Sequence, residues 1–464
     1  MNGGTVTLGA YGGGALADVD GTTTVNIISG TVGNAYGGGL GQLADAGAGK
    51  EAIAAIVTGD ASVTVSGGIT TNVFGCNNLN GSPKGEVTVT IQTDANVTNV
   101  YGGGNQAAAS VSPVVNINGG TSDKVFGGGY GATAVLTGSP AVNVSGGTVS
   151  HDVYGGGALA NVTGNPTVSV SGGAVTHDVY GGGALADVTG NTTVSLTGGA
   201  VGGAYGGALG SAEVAAKVYG DTYVHLDGSK VTETGIFGAN NLNGTPTGHV
   251  KVHVTSTTPR DGEDYDVPAV YGGGNLSAYE PTDANDYAEV LIENCDNSIE
   301  YVYGGGNAAP VPATDVKIYG ANAINHAFAG GNGAGDGNPG ADVGYKGYFS
   351  QGNATIYGTG EAKIKVLGGT VNNVYGGSNT LGYIRGGTYV SVDNPEEDDP
   401  HTSCELNVGK VYGGGNEADI DCDIHMDLDC NEGGQILYAG ANNANVHGNI
   451  ILNIHSGTYG QVFC

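Results

Sequence analysis

Tryptophan is missing from this chain of 464 residues, methionine occurs twice, and the only arginines are Arg260 and Arg385. Charged residues amount to 12%, about half the usual share. So few large apolar and charged side chains leave little with which to build and cover long helices. Arginine is this scarce while the net charge is −30, so no basic face exists for a phosphate backbone and nucleic acid is excluded as a partner. The same charge repels acidic polysaccharides unless cations bridge them. No run of eighteen apolar residues occurs, so no membrane-spanning helix is expected. The first residues lack a basic segment followed by an apolar stretch, so no signal peptide is expected. The six cysteines (Cys76, Cys295, Cys404, Cys422, Cys430 and Cys464) form no C-x-x-C pair and no zinc-finger spacing. Most are expected to be small buried hydrophobes, and a disulfide at Cys404 or Cys464 stays open.

Glycine, by contrast, is abundant: 92 residues, against a usual share of roughly 7%. It does not recur every third residue and proline is scarce, which excludes collagen. Regularly placed β-branched residues speak against disorder. Residues 146–171 (GGTVSHDVYGGGALANVTGNPTVSVS) and 172–197 (GGAVTHDVYGGGALADVTGNTTVSLT) are nearly the same sequence, which marks a repeat. An aromatic residue before a Gly-rich corner recurs from Tyr11 to Phe463, mostly at spacings of 25–28 residues. Longer spacings carry insertions, clearest at Thr257–Pro268, Gly330–Gly347 and Asp393–Ser403.

Runs such as Thr24–Ile27, Ser62–Val65, Thr167–Val170 and Lys363–Val366 alternate apolar and polar residues, the period of a strand. Val149–Tyr154 reads as a second strand and Ala158–Val162 as a third. The expected fold is therefore all-β: a parallel β-helix, or β-solenoid, of about fifteen coils with three short strands each. One such β-solenoid spans 1–464, with weakly charged coils over 1–229 and acidic, loop-bearing coils over 230–464. Stacked coils share a core that a single coil cannot bury. The corner aromatics, among them Tyr101, Tyr154, Tyr180, Tyr271, Tyr303 and Tyr412, are expected to stack into a ladder. Asparagines four residues later, including Asn105, Asn275, Asn307 and Asn416, should form a second ladder, because Asn tolerates left-handed turns and bonds its neighbour along a stack. A sugar-binding array of the same Tyr and Asn residues is the alternative.

The VYGGG and GGTV units, which run through the whole chain, resemble those of Gly-rich β-strand-repeat surface proteins of bacteria, a class of adhesins and autotransporter passengers with parallel β-helix rods. The resemblance implies a protein of the extracellular space or bacterial cell surface, filament-forming or attached, with a glycan or host surface as partner. Both ends fall inside a repeat, at residues 3–14 and 457–464, so a longer protein or end-to-end self-association is expected.

No nucleophile elbow, phosphate loop or HExxH motif occurs. The densest acidic group is Asp419–Asp429 (DIDCDIHMDLD), in which Asp419, Asp421, Asp423, Asp427 and Asp429 alternate with apolar residues. Such acids lie ~7 Å apart along an extended strand, so two neighbours or an adjacent coil could share a calcium ion. The plain expectation is a solvated outer face. His151-Asp152 and His177-Asp178 occupy equivalent places in adjacent repeats. Gly330–Asn338 resembles a calcium-binding nonapeptide, with Asp336 one position late. No cofactor other than such calcium is expected. The first expectation for function is thus a non-enzymatic structural or adhesive protein. A carbohydrate-binding or carbohydrate-active protein, needing paired carboxylates for cleavage, is the alternative.

Overall fold

The structure, a computed structural model, describes residues 1–464 except 335–339, 345–357, 395–400, 402–403 and 430–431. Its 26 strands pair in parallel, and the described residues contain no helix. They divide into two compact units: Met1–Gly202 with Gly207–Gly220, and Gly203–Gly206 with Asp221–Cys464.

In the first unit each repeat supplies two strand segments. One is the alternating run, as in Thr23–Ile27, which pairs with Ala61–Phe74 in the register Val25↔Val63 and Asn26↔Thr64. The other ends in the aromatic, as in Ser29–Tyr36, which sets Tyr36 beside Phe74. The alternation buries Val63, Val65, Val89 and Ile91 and turns the residues between them outward, as a period of two requires. The segments meet at a Gly-Gly bend where the register slips, between Val65 and Gly67 or between Ile91 and Asn96. The second glycine of the bend needs a left-handed backbone, with φ +69° at Gly173, which glycine adopts without steric cost. A different constraint acts at the corner, where a Cβ on Gly155 would lie 2.4 Å from the Gly181 carbonyl oxygen.

The three-strand coil of a parallel β-helix is not what forms. The chain is a two-row ladder of strands. The expected third strand, Ala158–Val162, pairs through one residue per repeat: Ala109, Leu136, Val162, Val188 and Val218 follow one another as single bridges. These residues are buried with Val87, Val111 and Cys76, so they supply core without supplying a ladder. The segment lies between the Gly155–Gly157 corner and the Gly164–Pro166 turn. The segment bends at Ala158–Ala160 instead of extending, so its bonds, from Ala158 N–H to Gly129 O (2.9 Å), Leu159 N–H to Tyr130 O (3.0 Å), Val162 N–H to Asp187 O (2.9 Å) and Thr163 N–H to Leu136 O (2.8 Å), do not join into a strand. In one place the pairing closes into a small four-strand parallel barrel. Val114–Phe126 and Thr167–Tyr180 each pair with both Ala141–Val149 and Val153–Tyr154, which a bend at Ser150–Asp152 separates.

The second unit has the same two rows. The alternating row runs Thr222–Asp227, Val250–Ser256, Ala288–Ile292, Thr314–Ile318, Glu361–Val366, Gly387–Val392, Ile424–Leu428 and Ile450–Ile454. Its inward column is Val224, Val252, Val290, Val316, Ile364, Val390, Met426 and Leu452. The aromatic row runs from Lys230–Phe237 to Thr458–Phe463. The Thr257–Pro268 insertion is tied down at its ends, Thr257 donating to Asp266 (2.7 Å) and Arg260 Nε to the Tyr265 carbonyl (2.9 Å).

Candidate functional site

Between the slips at the bends, parallel pairing brings like residues of successive repeats together, so the columns within each row become ladders. In the first unit Tyr101 stacks on Phe74 at 4.8 Å and on Phe126 at 5.0 Å, and Tyr154 on Phe126 at 4.8 Å and on Tyr180 at 4.9 Å. In the second unit Tyr271 lies 4.4 Å from Phe237 and 4.8 Å from Tyr303, and Tyr412 lies 4.8 Å from both Tyr375 and Tyr438. Both faces of each interior ring are thus occupied by neighbours. Burial pushes the phenols of Tyr101, Tyr154, Tyr271 and Tyr303 far above their ordinary value, so they remain neutral hydrogen-bonding groups.

The asparagines form the second ladder, and every amide points the same way. Asn275 donates to Asn241 (2.9 Å), Asn307 to Asn275 (2.8 Å), Asn332 to Asn307 (2.8 Å), Asn379 to Asn332 (2.8 Å), Asn416 to Asn379 (2.9 Å) and Asn442 to Asn416 (2.7 Å). In the first unit Asn105 donates to Asn78 (2.9 Å). The ring hydroxyls join the two columns: Tyr303 donates to Asn332 (3.1 Å) and Tyr271 to Asn307 (3.4 Å). Left-handed geometry plays no part, since Asn294 is the sole non-glycine with positive φ among the described residues. The amide is selected for its paired donor and acceptor.

The acidic run does not gather its carboxylates. Asp419 accepts from the Asn445 N–H (2.8 Å), Asp423 from Asn449 (2.8 Å to the N–H, 3.0 Å to the amide), Asp427 from the Asn453 amide (2.8 Å), and Asp429 from the Ser456 hydroxyl. The Asn445 N–H, first among the causes, holds the Asp419 carboxyl below its usual value. Asp421 is exposed beside Cys422, whose thiol burial raises to about 11. Among the described residues no three His, Cys, Asp or Glu side chains form a group able to hold a metal ion. Asp336, of the nonapeptide-like segment, lies outside the described residues. His151 and His177 stack at 5.0 Å, and Asp152 and Asp178 accept the hydroxyls of Tyr154 (3.0 Å) and Tyr180 (3.2 Å).

Compared with known proteins, the chain matches no family model, no curated protein and no solved structure.

Two features escape the sequence reading. One is a histidine network on the outer face of the second unit. His249 bonds Asp286 through Nδ1 (2.6 Å) and Glu289 through Nε2 (3.2 Å), and Lys251 donates to Glu289 (3.0 Å). The bond to Asp286, first among the causes, raises His249 to about 9. The bond from His249 lowers Glu289 to about 2. Next to it His253 stacks on His225 at 4.9 Å, meets Tyr223 (3.0 Å) and pairs with Glu293. Burial first, and then the neighbouring His253, lowers His225. The signal available in the sequence was the equivalent outward place of His225 (TYVHLD) and His253 (VKVHVTS). The other feature is a disulfide between Cys295 and Cys404, 109 residues apart. Cys404 was one of the two cysteines for which a bond stayed open. Cys76 is a buried free thiol, Cys422 is half-buried, Cys464 is exposed, and Cys430 lies outside the described residues.

Proposed function

We infer that the chain is a non-enzymatic structural or adhesive scaffold of an extracellular or bacterial surface. One observation carries this reading: the residues that recur from repeat to repeat are consumed by one another. Ring faces meet ring faces, amides meet amides, and phenols meet amides or carboxylates, so what the sequence repeats is what the stack needs. Positions that vary from repeat to repeat, such as Asn99, Lys124 and Asp152 two residues before the ring, point outward and supply individual chemistry. The Cys295–Cys404 disulfide suits an oxidising compartment, and the charge of −30 favours solubility of a strand-rich surface. The Gly-rich resemblance points the same way. The test is surface labelling of intact source cells with an antibody against the purified chain, alongside a turnover screen on polysaccharides. Labelling without permeabilisation and no turnover support the reading. Labelling only after permeabilisation, or turnover abolished by Asp427→Asn, overturns it.

A further inference from the structure

One groove in the first unit arises where the pattern of its first two rings breaks. In those two rings the tyrosine hydroxyl meets the asparagine two repeats on: Tyr11 accepts from the Asn78 amide (2.8 Å), and Tyr36 meets Asn105. The next ring is Phe74, which has no hydroxyl, and the asparagine place two repeats on from it holds Tyr130 instead. Phe74 lies between Tyr36 (4.9 Å) and Tyr101 (4.8 Å), so its missing hydroxyl leaves a notch between two hydroxyl-bearing rings. Both faces of Tyr101 are covered by Phe74 and Phe126, so Tyr130 meets its rim, edge to face at 5.5 Å. Tyr130 remains 45% exposed and walls the notch. The opposite wall is a short amide ladder, Asn99 donating to Asn72 (3.0 Å) and Asn72 to Asn34 (2.8 Å). The groove holds about 350 Å³ and no charged side chain lines it.

We propose that this groove binds a neutral oligosaccharide. Its volume falls in the range of small-ligand sites, roughly 300–1,000 Å³. Each ladder amide spends one N–H on a neighbour, and Asn34 and Asn72 also one lone pair, so a second N–H and a second lone pair stay within each amide's capacity. Donor and acceptor then stand side by side, as the hydroxyls of a sugar require. The open part of Tyr130 offers an apolar surface to the C–H face of a pyranose ring. An uncharged lining in a chain of net charge −30 selects a neutral ligand over an anionic one. The proposal goes beyond the scaffold reading and does not depend on it.

The test is isothermal titration calorimetry on the full chain with cellotetraose, mannotetraose and xylotetraose, and with tetragalacturonate as the anionic comparison. At least one neutral tetrasaccharide binds, and tetragalacturonate binds at least about ten-fold more weakly. Phe74→Tyr fills the notch with a side chain that the same column carries elsewhere. It lowers affinity about ten-fold or more without changing the circular dichroism or the melting temperature, and Tyr130→Ala does the same. Tyr219→Ala, at another exposed tyrosine of the same unit, leaves affinity unchanged. Absence of binding by all three neutral sugars at about 10 mM, equal binding of tetragalacturonate, or undiminished affinity in Phe74→Tyr overturns the proposal.

Discussion

Replacing Asn307 by alanine cuts the amide ladder at an interior rung. The side chain donates to Asn275 (2.8 Å), accepts from Asn332 (2.8 Å) and receives the Tyr271 hydroxyl (3.4 Å). Its backbone is not left-handed, so alanine fits without strain and the loss is that of the amide. A neutral hydrogen bond contributes about 1 kcal/mol net, and partners left unpaired raise the cost. The two short bonds and the weak third therefore sum to about 2–3 kcal/mol. Asn442, half a unit away along the same column, makes one such bond (2.7 Å) and is exposed, so Asn442→Ala costs about 0.5 kcal/mol or less. A stack of repeats need not unfold in one step, so the suitable assay is native-state hydrogen exchange at the backbone amides of the repeats around Asn307. Those of Asn307, which bonds Gly274, and Asn332, which bonds Gly306, should exchange about 30- to 150-fold faster, from a factor of ten per 1.4 kcal/mol. Equal acceleration by Asn307→Ala and Asn442→Ala would refute a cooperative ladder and leave the asparagines as turn formers.

Three further outcomes follow from the same geometry. His249, raised to about 9, stabilises fully below its unfolded value near 6.5 and loses that contribution as pH rises through 9, while Glu289, lowered to about 2, contributes fully above about 4.5 and loses it as pH falls through 2. The His249–Glu289 pair should therefore contribute most between about pH 4.5 and 6.5, and His249→Gln should flatten the alkaline arm of melting temperature against pH. Tyr154→Phe removes only the bond to Asp152 and should cost about 1 kcal/mol, whereas Tyr154→Ala opens the ring stack and should cost about 3–5 kcal/mol, measured by urea unfolding. Reduction of Cys295–Cys404, which closes a loop of 109 residues, should lower stability by up to about 4–5 kcal/mol on the chain-entropy account, and a Cys295→Ser, Cys404→Ser double variant should lose its response to reductant.

The two strand rows were legible because period-two alternation and parallel stacking are both local signals: Thr24–Ile27 and Ser62–Val65 announce themselves as strands. Ala158–Val162 misled for the same reason. Its apolar content is real, since Val162 is buried, but the backbone bends at Ala158–Ala160, and apolar content does not report whether a bonded segment is extended. The acidic run at Asp419–Asp429 was legible as an alternating face. Its partners Asn445, Asn449, Asn453 and Ser456 lie one repeat on and become visible only when the register is known. The His249 network was illegible because Asp286 comes from a loop between strands and Glu289 from the strand that follows it.

The fixed rung spacing of the ring ladder, 4.7–5.0 Å along the first unit, makes the outward surface discrete. Asn34, Asn72, Asn99, Lys124, Asp152 and Asp178 occupy one position each on a line whose pitch the rings set and the outward residues do not. A point substitution in that line rewrites one mark without moving its neighbours, and gain or loss of a whole repeat changes the length of the text but not the size of its letters. A stack of this kind can vary what it displays as fast as single codons change, while the grammar of the fold stays the same.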